Sequence, residues 1–131
     1  MIVHRILVVD DDQCTLEATR RVLTPSGYVV SVAVGGRDAV NSLERGAVDL
    51  VITDLLMPDG DGLDLISNVR KNFANTRIVA MSGGGRLDAD DYLLMARGFG
   101  VDAVLKKPFT SDELLTAIKT IESRSPFPRH P

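Results

Sequence analysis

Near its start the chain reads Ile6-Leu7-Val8-Val9 and then Asp10-Asp11-Asp12, and this stretch is the strongest indication of the fold class. An unbroken run of branched apolar residues is typical of a β-strand that is covered on both faces. Four further runs of this character lie at residues 28–34, 50–53, 78–81 and 103–105. Helical periodicity between the runs predicts helices at about residues 13–23, 37–44, 63–72, 88–97 and 111–121. Five repeats of strand and helix imply an α/β fold, a doubly wound parallel sheet with right-handed crossovers and helices on both faces.

The length and composition allow one globular domain. The 131 residues are 44% apolar and 25% charged, which is normal for a folded protein and excludes a disordered or fibrous chain. We assign residues 1–124 to the domain and the proline-rich residues 125–131 to a short flexible tail. Cys14 is the single cysteine, so no internal disulfide can form and nothing argues for secretion.

Charge and hydropathy bound the partners. Fifteen Lys and Arg against 18 Asp and Glu give a net charge of −3 without a basic stripe, so we predict no direct nucleic-acid partner. The apolar runs are too short to span a membrane, and the amino terminus lacks the apolar core of a signal peptide. We therefore expect a cytoplasmic protein with no membrane partner.

Polar side chains follow the predicted strands where the strands end. Asp10 and Asp11 follow the first strand, Asp54 the third, Ser82 and Gly83 the fourth, and Lys107 the fifth. In open α/β sheets, sites form beyond the carboxyl ends of the strands, so we expect these residues to share one edge. Three clustered carboxylates repel one another unless a cation lies among them, and an all-oxygen set suits Mg²⁺. Each residue also has an ordinary interpretation as a solvated loop or turn residue, and it is the combination that favours a site.

Asp12, the third acid after the first strand, could either cap a helix or bind a metal. Asp12 directly precedes the first predicted helix, and Asp is a preferred N-cap residue, so we assign it to the cap. Thr110 and Glu113 form a capping-box pair before the last helix.

A carboxylate beside Mg²⁺ can attack a phosphoryl group and form an aspartyl-phosphate. Such a transfer needs positioning and charge neutralisation more than additional covalent chemistry. Lys107 could neutralise phosphoryl oxygens, Ser82 could donate a hydrogen bond, and Gly83 could leave space for the group. The sequence therefore favours phosphoryl chemistry at this edge.

These motifs resemble those of response-regulator receiver domains, in particular the single-domain chemotaxis regulators. The resemblance rests on four motifs in order over residues 5–121: the acidic strand end at residues 10–12, the segment Asp54-Leu55-Leu56-Met57-Pro58 followed by Gly60 and Gly62, the pair Ser82-Gly83, and the turn Lys107-Pro108-Phe109. It implies the flavodoxin-like (β/α)5 fold with strand order 2-1-3-4-5. It also implies a phosphorylation-controlled switch of a two-component system, which catalyses only its own phosphorylation and dephosphorylation.

The resemblance assigns a role to each motif residue. Asp54 would be the phosphoacceptor, Ser82 and Lys107 would contact the phosphoryl group, and Lys107 would precede Pro108 through a cis bond. The Mg²⁺ ligands would be Asp11 and Asp54, with Asp10 acting through water and Leu56 through its backbone carbonyl. A sensor histidine kinase or a histidine phosphotransfer protein would donate the phosphoryl group, and a downstream target protein would read it. The family often has an aromatic residue where this chain has Val104, so the output signal would travel differently here.

Three alternatives remain open at this point. A haloacid-dehalogenase-type phosphatase would use Asp10 as its nucleophile, but Cys14 stands where that motif has Thr, and Asp54 would have no task. A flavodoxin-like flavin carrier would need aromatic residues around the flavin, and the chain has no Trp and only two Tyr. A phosphorelay shuttle would share the fold and the acceptor but pass the phosphoryl group to a second histidine protein.

Overall fold

The computed structural model describes residues 2–55, 57, 62–83, 94 and 97–124. Its five strands are β1 (Arg5–Val9), β2 (Val29–Ala33), β3 (Leu50–Asp54), β4 (Arg77–Ser82) and β5 (Ala103–Lys106). Its helices with described bounds are α1 (Gln13–Leu23), α2 (Gly36–Arg45), α3 (Gly62–Asn72) and α4 (Ser111–Ser123). The helix predicted at residues 88–97 falls largely outside the described residues, although Leu94, Arg97 and Gly98 are helical. The tail at residues 125–131 also lies outside them.

All strand pairs are parallel, and the sheet order is β2-β1-β3-β4-β5. This confirms the doubly wound α/β fold and the strand order 2-1-3-4-5. The chain reverses direction across the sheet between β1 and β3, which is the switch point where sites of such folds form. The strands therefore deliver their carboxyl ends, and the polar residues that follow them, to one edge.

Apolar layers cover both faces of the sheet. On one face, α2 and α3 pack on alternate strand residues through Leu43, Ile66 and Val69. On the other face, α1 and α4 contribute Leu16 and Ile118 among others. The central strands β1, β3 and β4 are buried on both sides, because side chains alternate between two covered faces.

Strand β2 departs from the expectation of a strand covered on both faces. It lies at the edge of the sheet, and Val29 and Val32 keep 54% and 39% of their surface exposed. An apolar run predicts a strand, but it does not tell whether a second strand lies on each side of it. The helices α1 and α2 pack on both β1 and β2, so they cover β2 only in part.

The amino edge of the sheet is held by an ionic network around Asp102. Its carboxylate accepts a hydrogen bond from the backbone N–H of Ile78 at 2.8 Å and lies 3.5 Å from Arg77 and 3.6 Å from Arg70. Its backbone carbonyl accepts a bond from Arg124 at 2.9 Å. The network joins α3, β4, the start of β5 and the end of α4.

Both predicted caps are present. Asp12 is the N-cap of α1 and accepts from the backbone N–H of Cys14, and Thr110 and Glu113 form a complete capping box at the start of α4. Within the described part of the chain, no helix has both the length and the apolar character that crossing a bilayer requires.

Candidate functional site

The carboxyl edge of the sheet brings four of the predicted side chains together. Asp10 directly follows β1, Asp54 and Ser82 are the last residues of β3 and β4, and Lys107 directly follows β5. Hydrogen bonds between neighbouring strand ends fix their relative heights, since Leu55 donates to the carbonyl of Met81 and Lys107 to that of Ser82. The ends of neighbouring strands therefore position the residues of the site.

Asp10 is a fully buried carboxylate. Its backbone N–H donates to the carbonyl of Ala33, which extends the β1–β2 ladder by one residue. One of its carboxylate oxygens accepts a hydrogen bond from the backbone N–H of Asp12 at 2.9 Å. A buried charge is stable only when it is paired, and the second oxygen accepts from Lys107, which directly follows β5.

Lys107 connects two carboxylates across the sheet. Its ammonium donates one hydrogen bond to Asp10 and another, of 3.1 Å, to Asp54. Burial lowers the pKa of Lys107, but the hydrogen bond to Asp10 and the charge of Asp54 outweigh that effect and raise the pKa above its ordinary value. Lys107 is therefore a fixed positive charge at neutral pH.

The carboxylates of Asp10, Asp11 and Asp54 can each offer one oxygen, and these oxygens lie within 4.8 Å of one another. With all three ionised, the single ammonium of Lys107 leaves a charge of −2 in the cluster. A small divalent cation with oxygen ligands and room for water matches both the donor set and the charge. The predicted Mg²⁺ ligands with described side chains thus fit the ion, and the fourth, the carbonyl of Leu56, lies outside the described residues.

The backbone of Asp54 is held by two contacts that the sequence patterns did not reveal. The hydroxyl of Thr53 donates to the carbonyl of Asp54 at 3.0 Å. Gly62 lies so close that a Cβ placed there would be 1.9 Å from the same carbonyl oxygen. Only glycine allows this approach, so Gly62 is a positioning residue for Asp54. The motif around Asp54 includes Gly62, but the spacing alone gave no reason for it.

Ser82 and Gly83 lie beside Lys107. Ser82 is buried, and its carbonyl accepts from the backbone N–H of Lys107 at 2.7 Å, which places the serine next to the lysine. A Cβ at Gly83 would lie 3.7 Å from Cδ of Lys107, which is an ordinary van der Waals contact. A side chain here would therefore extend over the lysine, toward the place where an incoming group must approach.

Two further predictions from the sequence concern the bond before Pro108 and the side chain of Val104. The bond between Lys107 and Pro108 is cis, as the family resemblance implied. Val104, which stands at the usual aromatic position, is partly buried and packs against the apolar layer between the sheet and helices α2 and α3. A small packed side chain of this kind cannot make the large rotation that an aromatic ring makes.

Curated relatives share this domain and extend beyond it. The chain is similar to the transcriptional regulatory protein TcrA of Mycobacterium tuberculosis, with 32% identity over 127 residues, which are 97% of this chain and 49% of the relative. It is also similar to the transcription factor SKN7 of Candida albicans, with 33% identity over 109 residues, 83% of this chain and 19% of that protein. The chain thus spans half or less of the length of these relatives.

The prediction that excluded nucleic acid as a partner is wrong. It rested on the net charge of −3 and the lack of a basic stripe, yet the relatives that share the domain are named as regulators of transcription. The charge of one domain reports only on that domain's own surface, so it does not exclude a partner that is reached through other segments.

Solved structures show the same architecture. A CheY-like response regulator receiver domain protein of Methanospirillum hungatei superposes with a TM-score of 0.82 and 28% identity, covering 92% of this chain and 94% of that one. A receiver domain protein of Clostridium thermocellum gives a TM-score of 0.80 with 28% identity, covering 90% and 93%. Residues 6–119 match the family described as the response regulator receiver domain, in which phosphorylation of an aspartate and binding of Mg²⁺ are general features. With its acidic cluster and lysine at the carboxyl edge of a 2-1-3-4-5 sheet, this chain belongs to the response regulator receiver domains of two-component signalling.

Proposed function

We propose that the chain is a switch that accepts a phosphoryl group on Asp54 from a phosphohistidine. The observation that carries this proposal is the position of the Asp54 carboxylate, 3.1 Å from the ammonium of Lys107 and in the same cluster as Asp10 and Asp11. The donor would be a sensor histidine kinase or a histidine phosphotransfer protein. In the transfer, the bond between phosphorus and the donor's histidine nitrogen breaks, and a bond between phosphorus and a carboxylate oxygen of Asp54 forms.

The neighbouring residues would stabilise the charge of the transferred group. Asp10, Asp11 and Asp54 would hold Mg²⁺, which, when bound, neutralises phosphoryl oxygens during the transfer. Lys107 would place its ammonium on another phosphoryl oxygen, and Ser82 would donate a hydroxyl hydrogen bond. Gly83 would keep the approach open. Asp10 would keep Lys107 in position throughout, because the two would remain paired when Asp54 is phosphorylated.

Burial favours Asp54 over Asp10 as the acceptor. The side chain of Asp10 keeps 1% of its surface and that of Asp54 keeps 13%. An incoming phosphorus atom must reach a carboxylate oxygen in line with the bond that breaks, and a fully buried carboxylate does not permit this approach. This observation weighs against the haloacid-dehalogenase-type reaction, which needs Asp10 as the nucleophile.

Phosphorylation would move one partner of Lys107. The Asp54 carboxylate loses its charge when it forms the acyl phosphate, while the phosphoryl group brings new negative oxygens farther from β3. Nearly complete conversion of a two-state switch requires about 5.5 kcal/mol. Hydrogen bonds to charged groups supply roughly 1.5–3 kcal/mol each, so Ser82 and Lys107 together come close to that amount.

A cleft beside the site supports a protein as the donor. It has a volume of about 540 Å³, lies between α1 and the start of α4, and its lining includes Thr19, Val22, Lys107, Phe109 and Leu114. An apolar cleft that begins at Lys107 gives a helical donor a place to dock with its histidine near Asp54.

We propose a downstream target protein as the reader, with regulation of transcription as the output, in line with the named relatives. The cytoplasmic location and the absence of a membrane partner stay predictions.

The test is phosphorylation of three purified chains by a small phosphodonor with Mg²⁺. Intact mass should show one added phosphoryl group in the wild type and in Asp12→Asn, whose carboxylate is engaged in the helix cap, and none in Asp54→Asn. Borohydride trapping followed by peptide mapping identifies the acceptor directly. Homoserine at position 10 instead of position 54 after the reduction, or full labelling of Asp54→Asn, would contradict the proposal.

A further inference from the structure

Among the described residues, strand β2 is an edge of the sheet that no other strand covers. Residues 28–34 include no charged residue, no proline and no glycine. Val29 and Val32 are exposed on its two faces, and Val34, just beyond the strand, is 46% exposed. Proteins usually protect edge strands with charges, prolines, bulges or a covering segment. The opposite edge strand carries two such features, because β5 has only four residues and ends at the exposed Lys106.

The main-chain groups that face outward can be identified from the ladder with β1. The N–H of Val29 donates to His4, and the carbonyl of Ala33 accepts from Asp10, so the odd-numbered residues of β2 point their polar groups toward β1. In a parallel strand, alternate residues point to opposite sides, so Val30 and Val32 direct their N–H and C=O groups away from the sheet.

The outward-facing segment has defined ends. The N–H of Tyr28 donates to the carbonyl of Leu23, and the N–H of Val34 donates to the carboxylate of Asp38, each at 3.3 Å. Two donors and two acceptors between these ends, on Val30 and Val32, therefore face the open side of β2.

This set of groups is self-complementary. If a second copy lies antiparallel with a two-fold axis through Ser31, Val30 of each copy faces Val32 of the other. Each of these pairs then exchanges both of its hydrogen bonds, which makes four bonds in all. A two-fold interface requires a surface that matches itself, and an uncharged strand brings no like charges together.

The helices on both faces would also meet. Strands in a sheet lie about 4.8 Å apart, and α2 packs on both β1 and β2, so its axis lies between them. Two copies joined at β2 would then place their α2 helices about 10 Å apart, which is close to the usual distance of packed helices. The two helices would run antiparallel, which would bring the start of one, with the exposed Arg37 and Asp38, beside the end of the other, with the exposed Glu44 and Arg45. Each end carries one cation and one anion, so the contact would bring no net charge together.

We propose that a second copy of this chain binds at β2, through antiparallel β2–β2 pairing centred on Ser31, and forms a symmetric dimer with one continuous sheet. The interface lies on the side of the sheet opposite β5 and uses no residue of the cluster around Asp54. The proposal is therefore independent of the phosphoryl chemistry, and its failure would leave the proposed function untouched.

The first test is the mass in solution as a function of concentration. Sedimentation or light scattering should show the mass of the wild type rising from 14.2 kDa toward twice that value as the concentration increases. Val32→Lys introduces an edge charge, and Val32→Pro removes an outward N–H without touching the ladder to β1. Both variants should stay monomeric. Val32→Thr keeps the branched shape and the backbone, and should dimerise like the wild type.

The second test locates the axis by cross-linking in a Cys14→Ser background. Residues that face each other as a non-hydrogen-bonded antiparallel pair have Cα atoms about 4.5 Å apart, within the range of a disulfide. Ser31→Cys should therefore form an interchain disulfide under mild oxidation. Val29→Cys is equally accessible, but the two copies of residue 29 would lie roughly 14 Å apart, so this control should not cross-link.

A wild type that stays monomeric at all concentrations would overturn the proposal. This holds also if β2 then proves to bind an extended segment of another protein. So would a dimer that survives both Val32→Lys and Val32→Pro in chains whose circular dichroism shows the native fold, because another surface would then form it. Equal cross-linking of the Ser31→Cys and Val29→Cys chains would likewise contradict the antiparallel register.

Discussion

Lys107 is the residue on which the charges of the site converge. It pairs with the buried Asp10 and the more exposed Asp54, so one positive charge is shared by carboxylates from two different strands. Asp11 is exposed and lies in the same oxygen cluster. The three acids therefore differ in exposure and in their pairing with Lys107, although their carboxylate oxygens form one cluster.

Substitutions at Asp11 and Asp12 should affect Mg²⁺ binding differently, although the two acids are adjacent. Asp11 offers an oxygen to the cluster, whereas the carboxylate of Asp12 accepts from the N–H of Cys14 and the hydroxyl of Thr15. Asp11→Asn should reduce the rise in melting temperature that Mg²⁺ produces, and Asp12→Asn should leave it nearly unchanged, because asparagine also caps helices well. Thermal melts over a Mg²⁺ titration measure both variants. Equal losses would show that the two acids share the ion.

Gly62 provides a steric test of how Asp54 is positioned. Gly62→Ala places a methyl group into the carbonyl of Asp54 and should destabilise the fold by about 1–3 kcal/mol, the usual range for overpacking. Gly36→Ala is the matched control, since nothing lies within 4 Å of a Cβ there, and it should be neutral or slightly stabilising.

Urea unfolding measures both glycine variants, and phosphorylation of the folded fraction of Gly62→Ala should be slower because its acceptor is displaced. Equal stability of the two variants would show that the backbone near Asp54 yields without strain.

At the scale of single elements, local patterns predicted much of what the structure shows. The bounds of α1 and the caps at Asp12 and Thr110 follow from side chains within a few residues of each other. The convergence of Asp10, Asp54 and Lys107 follows from the rule that parallel strands end on one edge. These features depend on local periodicity and on the order of strands and helices along the chain, and both can be determined from a single sequence.

Features that depend on through-space contacts could not be predicted in this way. The close approach of Gly62 to the carbonyl of Asp54 is a tertiary contact that no spacing in the sequence indicates. The exposure of β2 depends on how many strands the sheet has on that side, and an apolar run contains no signal for it. The pairing of Lys107 with both Asp10 and Asp54 depends on distances that spacing in the sequence does not determine.

The capping box of α4 should contribute to holding the loop that carries Lys107. Thr110→Ala removes the bond to the N–H of Glu113 and should lower the free energy of unfolding by about 1 kcal/mol. The control Thr120→Ala lies on the exposed face of the same helix and should be neutral or slightly stabilising, because alanine favours helix.

Hydrogen exchange distinguishes a local from a global effect of these changes. Amides in the first turn of α4 should exchange faster in Thr110→Ala and at the normal rate in Thr120→Ala. Equal stability and equal exchange in both variants would show that the box contributes nothing.

For the whole molecule, the raised pKa of Lys107 links stability to pH. The folded state holds this proton more tightly than the unfolded state, so the stabilisation is fully present below the ordinary pKa of 10.5 and is lost as pH rises through the raised value. The free energy of unfolding should therefore fall more steeply in alkali for the wild type than for Lys107→Met.

Tyr28 does not obscure this comparison. Burial and the nearby Glu122 raise its pKa, so it also destabilises the fold in alkali, but it does so equally in both chains. Urea titrations from neutral to strongly alkaline pH give the free energy of unfolding of the wild type and of Lys107→Met. The difference between their slopes against pH is the contribution of Lys107. Parallel curves would mean that Lys107 gains nothing from its two carboxylates.

The network around Asp102 has a consequence for how genetic experiments on this chain can be interpreted. It lies at the amino end of β4, whereas Ser82 ends the same strand, and a strand of six residues separates its ends by roughly 17 Å. Substitutions that far apart usually have additive free energies. A change at Asp54 should thus leave the stabilisation from the Asp102 network intact, so the phenotype of Asp54→Asn would report on the acceptor cluster and not on a loss of this network.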